Sequence, residues 1–229
     1  MTNPADPIIV ETPGVKAQKP EFAIIWLHGL GANGHDFEPI VPELGLDQHS
    51  IRFVFPHAPN RPVTINNGYV MPAWYDIKGM DLSDKEDRPG MQESESYLNS
   101  LIEQQIASGI PASNIIIAGF SQGGAVATYS LLRSKHQLAG CMALSTYVPF
   151  MSHTSDEMNA ANTNTPIFWG HGIADDVVPI LLGQQSVDHL RQIGYTVQWQ
   201  TYNMQHSVNA QEIADISTWI ESILTSKKK

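Results

Sequence analysis

Ser121 stands in Gly119-Phe120-Ser121-Gln122-Gly123, a GxSxG arrangement, with the apolar run Ile115-Ile116-Ile117-Ala118 directly before it and a helical pattern directly after. A serine between a buried strand and a helix occupies a sharp, strained turn that lifts its hydroxyl above the sheet. The flanking glycines are needed because a β-carbon at either position would strike the neighbouring strand or helix. The helix amino terminus adds N–H groups that favour developing negative charge. A hydroxyl is a weak nucleophile at neutral pH, so it needs a base, and the base needs an orienting carboxylate. The simpler reading, a serine that only caps the helix, explains the residue but not the glycines around it.

In a strand–serine–helix elbow the acid and then the histidine follow the nucleophile along the chain. Of nine histidines, His136, His153, His171, His189 and His206 come after Ser121. His136 and His189 fall in helical patterns, and His153 has no acid candidate between itself and the serine. His206 follows the apolar run at 196–202 and precedes the last helical pattern, the strand-end position expected of a base. For the acid, Asp175 and Asp176 follow Pro166-Ile167-Phe168-Trp169-Gly170-His171-Gly172. Asp156, Glu157 and Asp188 are worse placed, in a polar loop and a helix. Either Asp175 or Asp176 could serve, and the other is then a turn residue. His171 with Asp175 could suggest a metal pair, yet no HExxH or Cys/His cluster accompanies it, so no metal and no cofactor are expected.

A second glycine-rich element, Trp26-Leu27-His28-Gly29-Leu30-Gly31-Ala32-Asn33-Gly34, contains GxGxxG after an apolar run. Dinucleotide binding by such a loop needs an acidic residue about 20 positions on, at the end of the second strand. Here that strand runs into Pro56-His57-Ala58-Pro59, with no carboxylate. The loop must serve other chemistry.

Short apolar runs at 22–27, 51–55, 115–120, 138–145, 166–170 and 196–202 read as buried strands. Helical patterns lie at 36–44, 93–107, 123–136, 180–193 and 209–224. Their alternation predicts an α/β fold, a mostly parallel central sheet with helices on both faces. With 229 residues, 42% of them hydrophobic and 16% charged, one domain over 1–229 is expected, with residues 1–7 and 226–229 as flexible tails. The segment 56–92 is the longest without a clear period and reads as a long loop of functional interest. A formal charge of −10 with no basic cluster beyond Lys227-Lys228-Lys229 argues against nucleic acid as a partner. The amino-terminal segment lacks a signal-peptide pattern and no stretch is long enough to span a bilayer, so a cytoplasmic protein is expected. The single cysteine, Cys141, lies in an apolar run and reads as a buried core thiol.

The ordered set LHGLG, FPHAP, PAWYD, GFSQGGA, HGxxDxVVP and HSV, spread over roughly residues 22–224, resembles the phospholipase/carboxylesterase family of α/β-hydrolases, which includes the acyl-protein thioesterases. The resemblance implies an α/β-hydrolase fold and a serine esterase or acyl thioesterase acting through an acyl-serine. Its substrates would be acyl esters or thioesters, including acylated proteins or lysophospholipids. It implies Ser121 as nucleophile, His206 as base and Asp175, rather than Asp176, as acid. It assigns one oxyanion N–H to Leu30 in the LHGLG loop and the other to Gln122. The stretch 66–82, with Tyr69, Met71, Trp74, Tyr75, Met80 and Leu82, would border an acyl groove, with Trp74 the foremost contact and Met71 and Tyr75 beside it; the plainer alternative is ordinary packing of a long loop onto the sheet, since Trp and Met fill gaps readily. The charged run 83–90 reads as a solvated loop. The apolar loop residues allow at most transient contact with a membrane surface. The alternatives are a peptidase on the same scaffold and a non-catalytic ligand-binding member of the fold.

Overall fold

The computed structural model describes residues 5–15, 19–79 and 87–227. In chain order the strands are β1 (Ile8–Pro13), β2 (Phe22–Leu27), β3 (Ser50–Phe55), β4 (Asn60–Val63), β5 (Tyr69–Pro72), β6 (Ile115–Phe120), β7 (Gly140–Leu144), β8 (Ile167–Gly172) and β9 (Val197–Tyr202). The helices are α1 (Arg88–Ala107), α2 (Gln122–Arg133), the single turn α3 (Thr154–Glu157), α4 (Ile180–Gln192) and α5 (Ala210–Ser226). Seven strands form one sheet in the order β1-β3-β2-β6-β7-β8-β9, while β4 and β5 pair separately as an antiparallel hairpin. Every pairing in the large sheet is parallel except that of β1 with β3.

The central strands are covered on both faces, so they read as continuous apolar runs and not as alternating ones. Ile25, Leu27, Ile117, Ala143 and Trp169 pack toward Leu98 and Leu101 of α1, Val126 of α2 and Val187 of α4. Ile24, Trp26, Ala118, Met142 and Phe168 point the other way, onto Ile216, Trp219 and Ile220 of α5. Gly140 opens β7 because a β-carbon there would lie 2.6 Å from the Trp219 ring. Cys141 is fully buried and burial pushes its thiol pKa up, which makes it a core residue, as its sequence setting predicts. Among the described residues no helix is long and apolar enough to cross a membrane.

Several expectations need correction. Residues 36–44 form two 3-10 turns, Glu38–Ile40 and Pro42–Leu44, and no α-helix, because Pro39 and Pro42 remove the N–H groups that a longer helix would need. Residues 8–13 form an edge strand whose outward positions are exposed. The segment 56–92 is not structureless: it holds the β4–β5 hairpin, and α1 begins inside it at Arg88. Ser226 closes α5 and is no tail residue. Residues 1–4, 228 and 229, together with Met80, Leu82 and the part of the charged run at 83–86, lie outside the described residues.

Glu212, in the first turn of α5, donates its N–H to the Asn209 side chain, while its own carboxyl is wholly buried against Gly170. Neither carboxyl oxygen has a hydrogen-bond partner among the described residues. Burial first, and then the nearby Asp215, raise its pKa to about 8. The folded state therefore keeps a proton that the unfolded chain releases near its ordinary value, and stability falls as pH rises through this window. Between pH 7 and 9 the native protein is expected to lose about 1–2 kcal/mol more than Glu212→Gln loses. Urea midpoints at the two pH values check this, and parallel losses would contradict it.

Candidate active site

The carboxyl ends of β2, β6, β8 and β9 bring the chemistry-bearing loops to one edge of the sheet, where open parallel sheets place their ligand sites. Ser121 occupies the junction of β6 and α2 with φ 53° and ψ −120°. A β-carbon at Gly119 would overlap the backbone of Gly123, and one at Gly123 would lie 2.5 Å from the Leu27 carbonyl oxygen. The strained residue is held by its surroundings. Its N–H donates to the Leu144 carbonyl at 2.8 Å, and its own carbonyl accepts the Thr146 hydroxyl at 2.7 Å.

Asp175 follows β8 and faces His206, which hangs from the loop after β9. His206 Nδ1 donates to Asp175 Oδ2 at 2.7 Å. The other carboxylate oxygen, Oδ1, accepts the N–H groups of Val177 at 3.0 Å and Val178 at 2.8 Å. Burial alone would raise the Asp175 pKa, but these hydrogen bonds outweigh it and hold the carboxyl below its usual range. Asp176 is exposed and makes no such contact. With Nδ1 committed to the carboxylate, Nε2 is the nitrogen left for proton transfer.

The His206 ring packs on Phe120, the residue before Ser121, with centroids 4.7 Å apart. No direct hydrogen bond joins the Ser121 hydroxyl to the ring among the described residues; such links commonly tighten only when substrate is present. Of the other histidines weighed, His136 pairs with Glu103, and His153 contacts its neighbour Ser152. His171 is buried beside Asp175, its Nε2 donating to the Val178 carbonyl at 2.9 Å and lying 3.6 Å from Asp175 Oδ2. Burial lowers its pKa, so it supports the acid loop as a neutral donor.

The loop after β2 passes beside Ser121: a β-carbon on Gly29 would lie 3.5 Å from that of the serine. In this loop Gly31 donates its N–H to the Pro72 carbonyl and Ala32 donates to that of Gly29. The N–H groups of Leu30 and Gln122 have no backbone acceptor among the described residues.

Trp74 and Tyr75 depart from the expected groove wall. Trp74 is 0% exposed and Tyr75 3% exposed, so neither offers surface to a substrate in this structure. The cause is polar satisfaction of two amphipathic rings: the Trp74 indole donates to the His28 carbonyl at 2.8 Å, and the Tyr75 hydroxyl meets that of Tyr147 at 2.9 Å. Met71 is half-buried, with its sulfur 3.8 Å from the place of a β-carbon on Gly31. Exposed apolar side chains include Tyr69 and Val70 on β5, Ile173 and Val177 in the loop that carries Asp175, and Leu181 in the first turn of α4.

The sequence profile of the phospholipase/carboxylesterase family matches residues 9–224. The chain belongs to that family. Among family relatives, acyl-protein thioesterase 1 of Cryptococcus neoformans is 38% identical over 218 residues, covering 88% of this chain and 92% of the relative. Acyl-protein thioesterase 1 of Neurospora crassa is 40% identical over 207 residues, covering 86% and 84%. Arabidopsis thaliana SOBER1 superposes with a TM-score of 0.82 at 35% identity, over 89% of this chain and 99% of that one. Zea mays acyl-protein thioesterase 2 gives the same TM-score at 29% identity, over 95% and 98%. The chain thus has the α/β-hydrolase fold and is a hydrolase of the carboxylesterase and thioesterase class.

Reading by residue type missed the supporting side chains of His28, Thr146 and Gln122, the last through its carboxamide and not its main-chain N–H. His28 carried a usable signal, an imidazole at the end of a wholly apolar strand. Thr146 carried none, since a threonine after a strand is ordinary.

Proposed function

We propose that the enzyme cleaves carboxylic ester or thioester bonds through an acyl intermediate on Ser121. His206 Nε2 takes the hydroxyl proton as Oγ attacks the acyl carbon. The amides of Leu30 and Gln122 receive the oxyanion. The imidazolium then returns the proton to the departing alcohol or thiol. Water, deprotonated by the same nitrogen, releases the acid and restores the serine. Asp175 orients the ring and balances its transient charge. The observation that carries this reading is the 2.7 Å bond from His206 to Asp175, with the ring seated against the residue before the strained serine.

The names of the relatives support acylated proteins as substrates, with lysophospholipids as a chemically related class. Met71, beside the Leu30 loop, is the proposed acyl contact, and the buried Trp74 and Tyr75 shape the wall from behind. The exposed apolar residues on β5 and near Asp175 favour an acyl chain or a brief encounter with a neutral lipid surface, since a net charge of −10 opposes anionic lipid.

The test is hydrolysis of esters and thioesters across acyl length, with fluorophosphonate labelling of Ser121 alongside. Each methylene that finds apolar contact is expected to contribute up to about 0.8 kcal/mol, or roughly fourfold in kcat/KM, until the groove ends. A flat response to chain length would reject the acyl groove, and labelling that persists in Ser121→Ala would reject the nucleophile.

A further inference from the structure

His28 is 1% exposed at the end of β2, and both ring nitrogens are engaged. Nε2 faces the Ala58 N–H at 3.1 Å, a donor, so this nitrogen must accept. The ring proton then resides on Nδ1, which donates to the Gly29 carbonyl at 2.7 Å. Burial first, and the nearby His57 to a smaller degree, lower the pKa to about 4, so the ring keeps this single-proton form at neutral pH. A second proton would set an N–H against the N–H of Ala58.

The peptide joining Gly29 to Leu30 is trans, as is every described peptide bond. In a trans peptide C=O and N–H point in opposite directions. Holding the Gly29 carbonyl toward His28 therefore turns the Leu30 N–H away from the histidine. The same residue is tied to the second amide. Its carbonyl accepts the Trp74 indole at 2.8 Å, the Trp74 N–H donates to Gln122 Oε1 at 2.8 Å, and Gln122 Nε2 donates to the Tyr75 carbonyl at 2.7 Å. The His28 and Trp74 rings are packed with centroids 5.1 Å apart. One buried chain of hydrogen bonds thus runs from the loop bearing Leu30 to the first residue of α2.

We propose that His28 is a positioning residue that aims the Leu30 N–H by gripping the Gly29 carbonyl, and that Trp74 and the Gln122 side chain lock this amide in register with the Gln122 N–H. The inference rests on the acyl-serine reading above and deepens it. Two main-chain donors that no side-chain deletion could reach become accessible through the residues that hold them. Preorganised donors lose their advantage when they must be reoriented during the reaction.

The test uses the full-length protein and compares His28→Leu with His28→Asn, whose Nδ2 stands close to where Nδ1 stood. His28→Leu is expected to lose about 10²–10³-fold in kcat, with KM within about threefold. It should lose the same factor in affinity for an alkyl trifluoromethyl ketone, whose carbonyl carbon is attacked by Ser121 Oγ to give a hemiketal oxyanion, the hydroxyl proton passing to His206. Affinity for the corresponding alcohol, which forms no oxyanion, should stay within about threefold. His28→Asn should recover to within about tenfold of the native enzyme in kcat and ketone affinity. Equal behaviour of the two variants, or parallel loss of ketone and alcohol affinity, overturns the proposal. Should His28→Leu fail to fold, Gln122→Met breaks the chain at its other end and must weaken the ketone selectively; unchanged ketone affinity then overturns it. The two readings fail separately. An active Ser121→Ala defeats the acyl-serine mechanism, whereas an inert Ser121→Ala with a fully active His28→Leu defeats only the role of His28.

Discussion

Ser121→Ala and His206→Ala are each expected to lower turnover by a factor on the order of 10⁶, and the double variant by no more than either alone. Non-additivity follows from their working as a unit: a base without its nucleophile has no proton to take, and the nucleophile without its base stays protonated. The loss should be chemical and not structural. The Ser121 side chain makes no capping hydrogen bond, and alanine meets the same backbone strain at φ 53° that serine already tolerates. The contacts that hold the turn, from Leu144 and Thr146, go to its main chain. Thermal unfolding of Ser121→Ala should therefore match the native protein while ester hydrolysis collapses. A variant that keeps a tenth of the activity would rule out the assignment.

The second large effect belongs to the acid. Asp175→Asn is expected to cost about 10⁴ in kcat, and Asp176→Asn less than about threefold. Oδ1 of Asp175 accepts two main-chain N–H groups, so an asparagine would keep its carbonyl oxygen there and turn its NH₂ toward His206. That donor requires Nδ1 to become an acceptor, which moves the ring proton to Nε2. A ring protonated on Nε2 cannot take the serine proton. The exposed Asp176 meets no such partner, and comparison of the two variants in steady-state hydrolysis decides between them.

Much of this arrangement could be read without coordinates, for a physical reason. Strands buried on both faces leave unbroken apolar runs, and β2, β6 and β8 are of that kind. The nucleophile turn announces itself because close approach of β6 and α2 leaves room only for glycine at 119 and 123. Elements that are half-exposed or short carry less signal. β1 mixes apolar with polar residues and ends in proline, and each strand of the β4–β5 hairpin has four residues and a proline. Residue type leaves Asp175 and Asp176 open, because adjacent aspartates in a turn have the same local chemistry, and their different contacts appear only in the fold. The setting of Trp74 is illegible for a related reason: an aromatic residue in a long irregular stretch can face outward or inward, and the position of a hydrogen-bond partner for the indole decides.

The strand that leads into the His206 loop, β9, lies at one edge of the sheet and among the described residues pairs with β8 alone. Edge elements open locally at lower free energy than the interior they flank. Fraying at this margin would withdraw the imidazole while the elbow under Ser121, anchored on a central strand, stayed assembled. Inactivation by heat or denaturant should thus precede loss of the core, and the first inactive species would retain an intact serine with nothing to deprotonate it.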